Sequence, residues 1–143
     1  MGKTAVIYWS GTGNTEAMAN AIASAVKAAG GDCGLFPVSE ITAAQAAEYD
    51  VLALGCPAMG AEVLEEGEFE PFFEELEGSL RGKNVALFGS YGWGDGEWMR
   101  TWQERVTDAG AVLVGGEGVI ANEAPDDEAL EKCEALGRAV SAL

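Results

Sequence analysis

The sequence predicts a doubly wound α/β sandwich, in which one parallel sheet carries helices on both faces. Three observations predict it. Short apolar runs recur at roughly even spacing along the 143 residues, they are continuous rather than alternating, and stretches of helical periodicity lie between them. A continuous apolar run suits a strand buried on both faces, the condition of a parallel sheet. The length and the 48% apolar composition suit one domain covering residues 1–143.

Taken in order, residues 5–9 form the first strand and residues 14–29 an alanine-rich helix stopped by Gly30-Gly31. A weaker strand falls near residues 33–38, and Thr42 caps a short helix over residues 42–48. Residues 51–56 make the third strand. Phe69, Phe72, Phe73 and Leu76, three and four apart, place an apolar stripe on the helix that follows and ends before Gly78. Residues 85–88 are the fourth strand; Trp98, Trp102 and Val106 recur every four residues on a fourth helix that stops at Gly110. The fifth strand covers residues 111–114 and resumes at 119–121. Asp126 or Asp127 caps a last helix with the stripe Leu130, Cys133, Leu136 or Gly137, and Val140. The result is five βα units without a close internal repeat or a linker.

Composition narrows the function. The 24 carboxylates against 8 basic residues give a net charge of -16, which argues against nucleic-acid and anionic-membrane partners and favours a basic protein surface. Cys33, Cys56 and Cys133 show no C-x-x-C spacing, so neither a disulfide framework nor a zinc site is expected, and a reducing compartment is. There is no histidine, hence neither the commonest general base nor the commonest metal ligand, and no metal site is expected. Met1-Gly2-Lys3 leads straight into a strand with no charged leader or long apolar segment, which points to a cytoplasmic protein that spans no membrane.

In a doubly wound sheet, ligands bind beyond the carboxyl ends of the strands, so the turns after strands one, three and four are the candidate sites. The first is SGTGNT, Ser10, Gly11, Thr12, Gly13, Asn14 and Thr15. Its glycines let the backbone approach a ligand, while three hydroxyls, an amide and the free N–H groups of a helix start aim donors at one small volume. This is a cup for phosphate. A Walker lysine is absent, and Glu16 stands where a dinucleotide fingerprint needs its third glycine. The second turn, CPAMGAEVLEE, offers Met59 beside Gly60 at a loop tip, a thioether suited to packing on a flat ring, and Glu62 as an acceptor for a ring N–H. The third, GSYGWGDGEW, surrounds Tyr91 and Trp93 with glycines, which makes an aromatic platform facing a ligand. Trp98 and Trp102 are assigned to the core, and Cys56 to inert filling of a buried strand end.

A phosphate at one end, a flat polar ring at the other and a sugar-like chain between describe flavin mononucleotide (FMN). In this order the motifs SGTGNT, CPAMG-x-E and GSYGWGDGEW resemble the short-chain flavodoxins over essentially the whole chain. The resemblance implies a flavodoxin-like three-layer sandwich, a five-stranded parallel sheet of order 2-1-3-4-5, and one non-covalent FMN. Residues 10–15 would hold the phosphate, and Pro57 and Ala58 would lie near the ribityl chain. Met59 and Trp93 would flank the isoalloxazine, with Gly60 next to N5, Glu62 accepting from N3–H, and Ser90, Tyr91, Gly92, Trp93 and Gly94 around the pyrimidine side. Asn122 would approach the cofactor, and Ala61 would contribute a backbone contact only.

The expected function is that of a low-potential one-electron carrier cycling between semiquinone and hydroquinone, a monomer that shuttles electrons between redox enzymes through its acidic rim. A phosphate held without cations, with Glu62, Glu65, Glu66, Asp95 and Glu97 nearby, disfavours an anionic hydroquinone. Two unit charges ~10 Å apart at an effective dielectric of ~20 repel by about 1.7 kcal/mol. After screening, a few of them lower the second reduction step by on the order of 100 to 200 mV. The Met59-Gly60 carbonyl is expected to turn toward N5 on reduction. The runner-up is a flavodoxin-like FMN-dependent quinone reductase with its own substrate. A phosphoacceptor signalling domain is excluded, because Ser10-Gly11 and Cys56-Pro57 stand where it needs aspartates.

Overall fold

The chain runs β1 (Lys3–Tyr8), α1 (Asn14–Ala28), β2 (Asp32–Pro37), α2 (Ala43–Ala46), β3 (Val51–Gly55), α3 (Phe69–Glu77), β4 (Asn84–Tyr91), α4 (Glu97–Asp108), β5 (Val112–Leu113), β6 (Val119–Asn122) and α5 (Asp127–Ser141). The structure is a computed structural model and describes residues 3–60, 62–92 and 94–143. All strand pairings are parallel, and the order is β2-β1-β3-β4-β5. The expected five-stranded sheet has a sixth segment, because its edge position is filled twice. β5 pairs with Asn84 and Val85 low on β4, and β6 pairs with residues 88–91 at the upper end. Between them Gly115 and Gly116 adopt φ of 80° and 79°, a left-handed pair that lifts the chain out of register.

Side chains of the central strands alternate between two cores, which explains why the runs are apolar at every position. Ala5, Ile7, Leu52, Leu54, Val85 and Leu87 face α3 and α4, where Phe69, Phe73, Trp98 and Trp102 are fully buried. Val6, Ala53, Ala86 and Phe88 face α1 and α5, against Met18, Ile22, Cys133 and Val140. Each of the larger aliphatic and phenyl side chains among them contributes roughly 1.5–3 kcal/mol through burial. On α5 the buried stripe runs Ala129, Cys133, Leu136, Val140, so Ala129 takes the place expected for Leu130, which is half-buried at the edge. Asp126 sets that phase by capping the helix through the Ala129 N–H at 2.8 Å. A Cβ on Gly137 would come 2.6 Å from the Ile22 carbonyl oxygen, so glycine lets α5 cross α1 at backbone distance.

Other helix boundaries follow local chemistry. Thr42 forms a reciprocal capping box with Gln45, and α2 is shorter than the expected 42–48 because residues 47–48 continue only as a turn. Arg105 on α4 reaches Glu70 at 2.8 Å and Glu77 at 3.0 Å on α3, and its guanidinium lies 4.8 Å from the centre of the Phe73 ring. That clamp holds α3 and α4 side by side. No helix among the described residues is long and apolar enough to cross a membrane. Since the strands are parallel, the turns leaving β1, β3, β4 and β6 emerge at one edge of the sheet.

Candidate functional site

A cleft of about 430 Å³ opens at that edge. Trp9, Gly11, Thr12 and Asn14 line it from the first turn, Pro57, Ala58 and Met59 from the second, Ser90, Tyr91 and Gly92 from the third, and Glu123 from the end of β6. None of the described lining residues is lysine or arginine.

The first turn enters α1 through Gly13 at φ 92°, an N-cap residue with no side chain to offer the helix. Among the described residues, the N–H groups of Gly11, Thr12, Asn14 and Thr15 have no acceptor. Four donors left open at a helix start, where the helix dipole adds positive potential, suit an anion. The hydroxyls divide the work. Ser10 Oγ accepts the Gly13 and Glu16 N–H groups at 3.0 and 3.3 Å, bracing the turn from inside. Thr15 is buried, and its Oγ1 meets Ser90 Oγ at 3.1 Å, tying the first turn to the third. Thr12 and Asn14 are the two polar side chains of this turn on the cleft itself.

In the second turn the Met59 N–H donates to the Val63 carbonyl at 2.9 Å, and the Met59 carbonyl accepts from the Glu62 N–H at 2.7 Å. The result is a small antiparallel tip with Gly60 exposed on it. Among the described residues of this tip Glu62 is the left-handed one, at φ 59°, and Gly60 does not use the positive-φ region open to it. The Met59 carbonyl is therefore engaged, whereas the Gly60 carbonyl has no donor among the described residues. The Glu62 carboxylate accepts the Trp98 N–H at 3.0 Å, at the first turn of α4, and lies against Gly94 in the third turn. Among the carboxylates expected to surround the site, Asp95 pairs with Arg100 at 3.0 Å on the surface. Glu65 accepts from the Gly67, Glu68 and Phe69 N–H groups at 2.7 to 2.8 Å. Burial alone would raise the Glu65 carboxyl, yet those three donors outweigh it and hold the group below the usual carboxylate range. Glu66 and Glu97 stand exposed.

The third turn leaves β4 at Ser90 and Tyr91, whose ring packs 5.6 Å from that of Trp98. Trp93 and Ala61, both singled out in the sequence, lie outside the described residues. Asn122 stands beside the cleft rather than in it: its Nδ2 donates to the Tyr91 carbonyl at 3.4 Å, and it lines a smaller depression with Asp126 and Lys132. Its neighbour Glu123 takes the lining position, because φ 57° turns the chain there and its N–H is fixed on the Tyr91 carbonyl at 2.7 Å. Sequence reasoning missed Glu123 and Trp9. Trp9 reads as the last residue of an apolar strand, and only its place one residue past β1 shows it facing a ligand edge. A carboxylate lining a cleft built for an anion carries no signal in the sequence.

The arrangement can hold a molecule with an anionic tail at the first turn and an apolar body between the second and third. A family model described as Flavodoxin matches residues 6–137. The flavodoxin of Megasphaera elsdenii is 52% identical over 95% of this chain and 96% of its own length. That of Clostridium beijerinckii is 48% identical over 95% and 97%. The solution structure of the two-electron-reduced M. elsdenii flavodoxin superposes with a TM-score of 0.90, covering 98% of this chain and 99% of that one.

Proposed function

Because this chain belongs to the flavodoxin family, we propose that its cleft seats FMN across the three turns and presents it to redox partners within an acidic rim. Flavodoxins are electron carriers and not enzymes, FMN is their redox group, and this chain is such a carrier. The observation that carries the seating is the first turn. Its open N–H groups lie at the start of α1, where the N-cap is glycine, and a phosphate supplies the oxygens they lack.

When bound, FMN supplies the one-electron chemistry that no side chain here provides. The protein binds and orients it. Residues 10–15 take the phosphate through the open N–H groups of Gly11, Thr12, Asn14 and Thr15, with Gly13 turning the chain and Ser10 Oγ and Thr15 Oγ1 bracing the turn through the hydrogen bonds described. Pro57 and Ala58 border the middle of the cleft; Met59 and Trp93 flank the ring; Glu62 accepts from a ring N–H; Ser90, Tyr91, Gly92 and Gly94 border its polar edge. The Gly60 carbonyl, rather than that of Met59, is the acceptor free to turn toward the ring. Asn122 acts through the Tyr91 carbonyl, and Ala61 offers only its backbone. The chain works as one domain over residues 1–143, a monomer in the cytoplasm whose net charge of -16 favours basic partner surfaces.

The test is to titrate the apoprotein with FMN and with riboflavin, which differ by the phosphate. Several charge-assisted hydrogen bonds at ~1.5–3 kcal/mol each predict that FMN binds at least about 100-fold more tightly. Equal affinities would overturn the assignment of the first turn. Stepwise reduction of the FMN complex should proceed through two resolved one-electron steps in the visible spectrum.

A further inference from the structure

The base of the β3–α3 loop converges on Cys56, a fully buried residue next to the cleft-lining Pro57. The Cys56 N–H donates to the Phe88 carbonyl at 3.2 Å. Its Sγ accepts the Glu65 N–H at 3.3 Å, which joins the outgoing end of the loop to the incoming one. The Cys56 carbonyl accepts the indole N–H of Trp98 at 3.1 Å. Gly89 leaves the room for that pairing, since a Cβ there would run into the Cys56 carbonyl and stand 3.2 Å from the Trp98 ring.

Trp98 has three holds on the site. Its indole fixes the loop base, its backbone N–H fixes the Glu62 carboxylate near the tip, and its ring packs on Tyr91. Among the described residues the backbone of the tip is fastened only to itself, through the Met59–Val63 bridge and the Glu62 N–H, while the Glu62 side chain alone reaches out to α4. From this contrast we infer that Trp98 and Cys56 are positioning residues for electron transfer: a buried clamp that closes the loop base and confines any rearrangement to residues 59–62. The inference rests on the FMN reading. A loop pinned at its base has few arrangements available to its tip, so one peptide rotation separates two well-defined states. With the base loose, ordering the tip on FMN binding costs more, and the two states blur into many.

The test uses Trp98→Phe, which keeps a ring against Tyr91 and removes the indole donor, and Cys56→Ala, with Cys56→Ser restoring a polar atom for the Glu65 N–H. Three quantities are measured: amide exchange in the apoprotein, FMN affinity, and the separation of the two one-electron midpoint potentials. In the first two variants exchange at Met59 and Val63 should quicken about tenfold, affinity should fall several-fold, and the separation should narrow by ~59 mV, a tenfold change for one electron. Cys56→Ser should recover most of the loss. Folded variants with the parent's tip protection and the parent's separation of potentials would overturn the clamp. A measurement on the unaltered holoprotein decides the matter if the variants do not fold. The Trp98 indole N–H should exchange slowly and equally in the oxidised and fully reduced protein while the Met59 and Glu62 amides differ, and an indole that follows the oxidation state would overturn it. Failure of the parent to take up FMN would sink the cofactor reading, and apoprotein exchange would still decide the clamp.

Discussion

At Gly60 the backbone lies outside the left-handed region and a Cβ would meet open space. Valine therefore fits this conformation, and Gly60→Val should leave the apoprotein as stable as the parent or up to about 1 kcal/mol more stable in chemical denaturation. Its effect belongs to the turned conformation, where the Gly60 carbonyl becomes an acceptor. A β-branched residue that disfavours this turn should weaken a hydrogen bond worth ~0.5–1.5 kcal/mol and narrow the separation of midpoint potentials by roughly 20 to 65 mV. An unchanged separation would show that Gly60 does not turn. Ser10 and Thr15 teach a related lesson. Their residue types mark a turn rich in donors, but only the fold shows Ser10 accepting two backbone N–H groups and Thr15 buried against Ser90.

Among the elements, α3 and α4 each start at a carboxylate from the second turn. Glu65 accepts the Phe69 N–H that opens α3 and the two N–H groups just before it, and Glu62 accepts the first-turn Trp98 N–H of α4. Anchored this way, both charges face the positive ends of helices, which moderates their repulsion of a reduced cofactor. Glu65 also gives a pH signature. Its carboxyl sits lower in the folded protein than the ordinary value of about 4.3, so its contribution is complete above that pH and disappears as the pH falls through the folded value. Glu65→Gln should cost about 0.5–2 kcal/mol at neutral pH in urea denaturation, and the difference from the parent should shrink as the pH falls through the folded value. A difference independent of pH would mean that the cap does not depend on charge. Helix periodicity had placed α3 and α4 from their aromatic stripes, whereas the caps, made by residues from a different turn, have no periodicity to read.

For the whole molecule, a charge of -16 on 143 residues makes self-repulsion a global property. The thermal midpoint of the apoprotein should rise by several degrees between about 0.01 and about 0.3 M salt as the Debye length shortens from ~30 Å to well under 10 Å. Over the same range electron transfer to a cationic partner should slow, because steering weakens. Stopped-flow and melting curves then move in opposite directions from one cause, and a transfer rate insensitive to salt would remove the acidic rim from docking.

The chain order of apolar runs and helical stripes by itself determined the parallel sandwich, and three local motifs determined where its ligand edge lies. Both are written in short stretches, where side-chain period and turn chemistry act without help from distant residues. Tertiary structure alone decided that Glu123 lines the cleft and Asn122 does not, that Ala129 rather than Leu130 is buried, and that Cys56 and Trp98, read as filler and core, meet through a hydrogen bond. Those outcomes depend on how strands and helices distant in sequence are brought together, and a hydrogen bond between positions 56 and 98 exists only after β3 and α4 have packed.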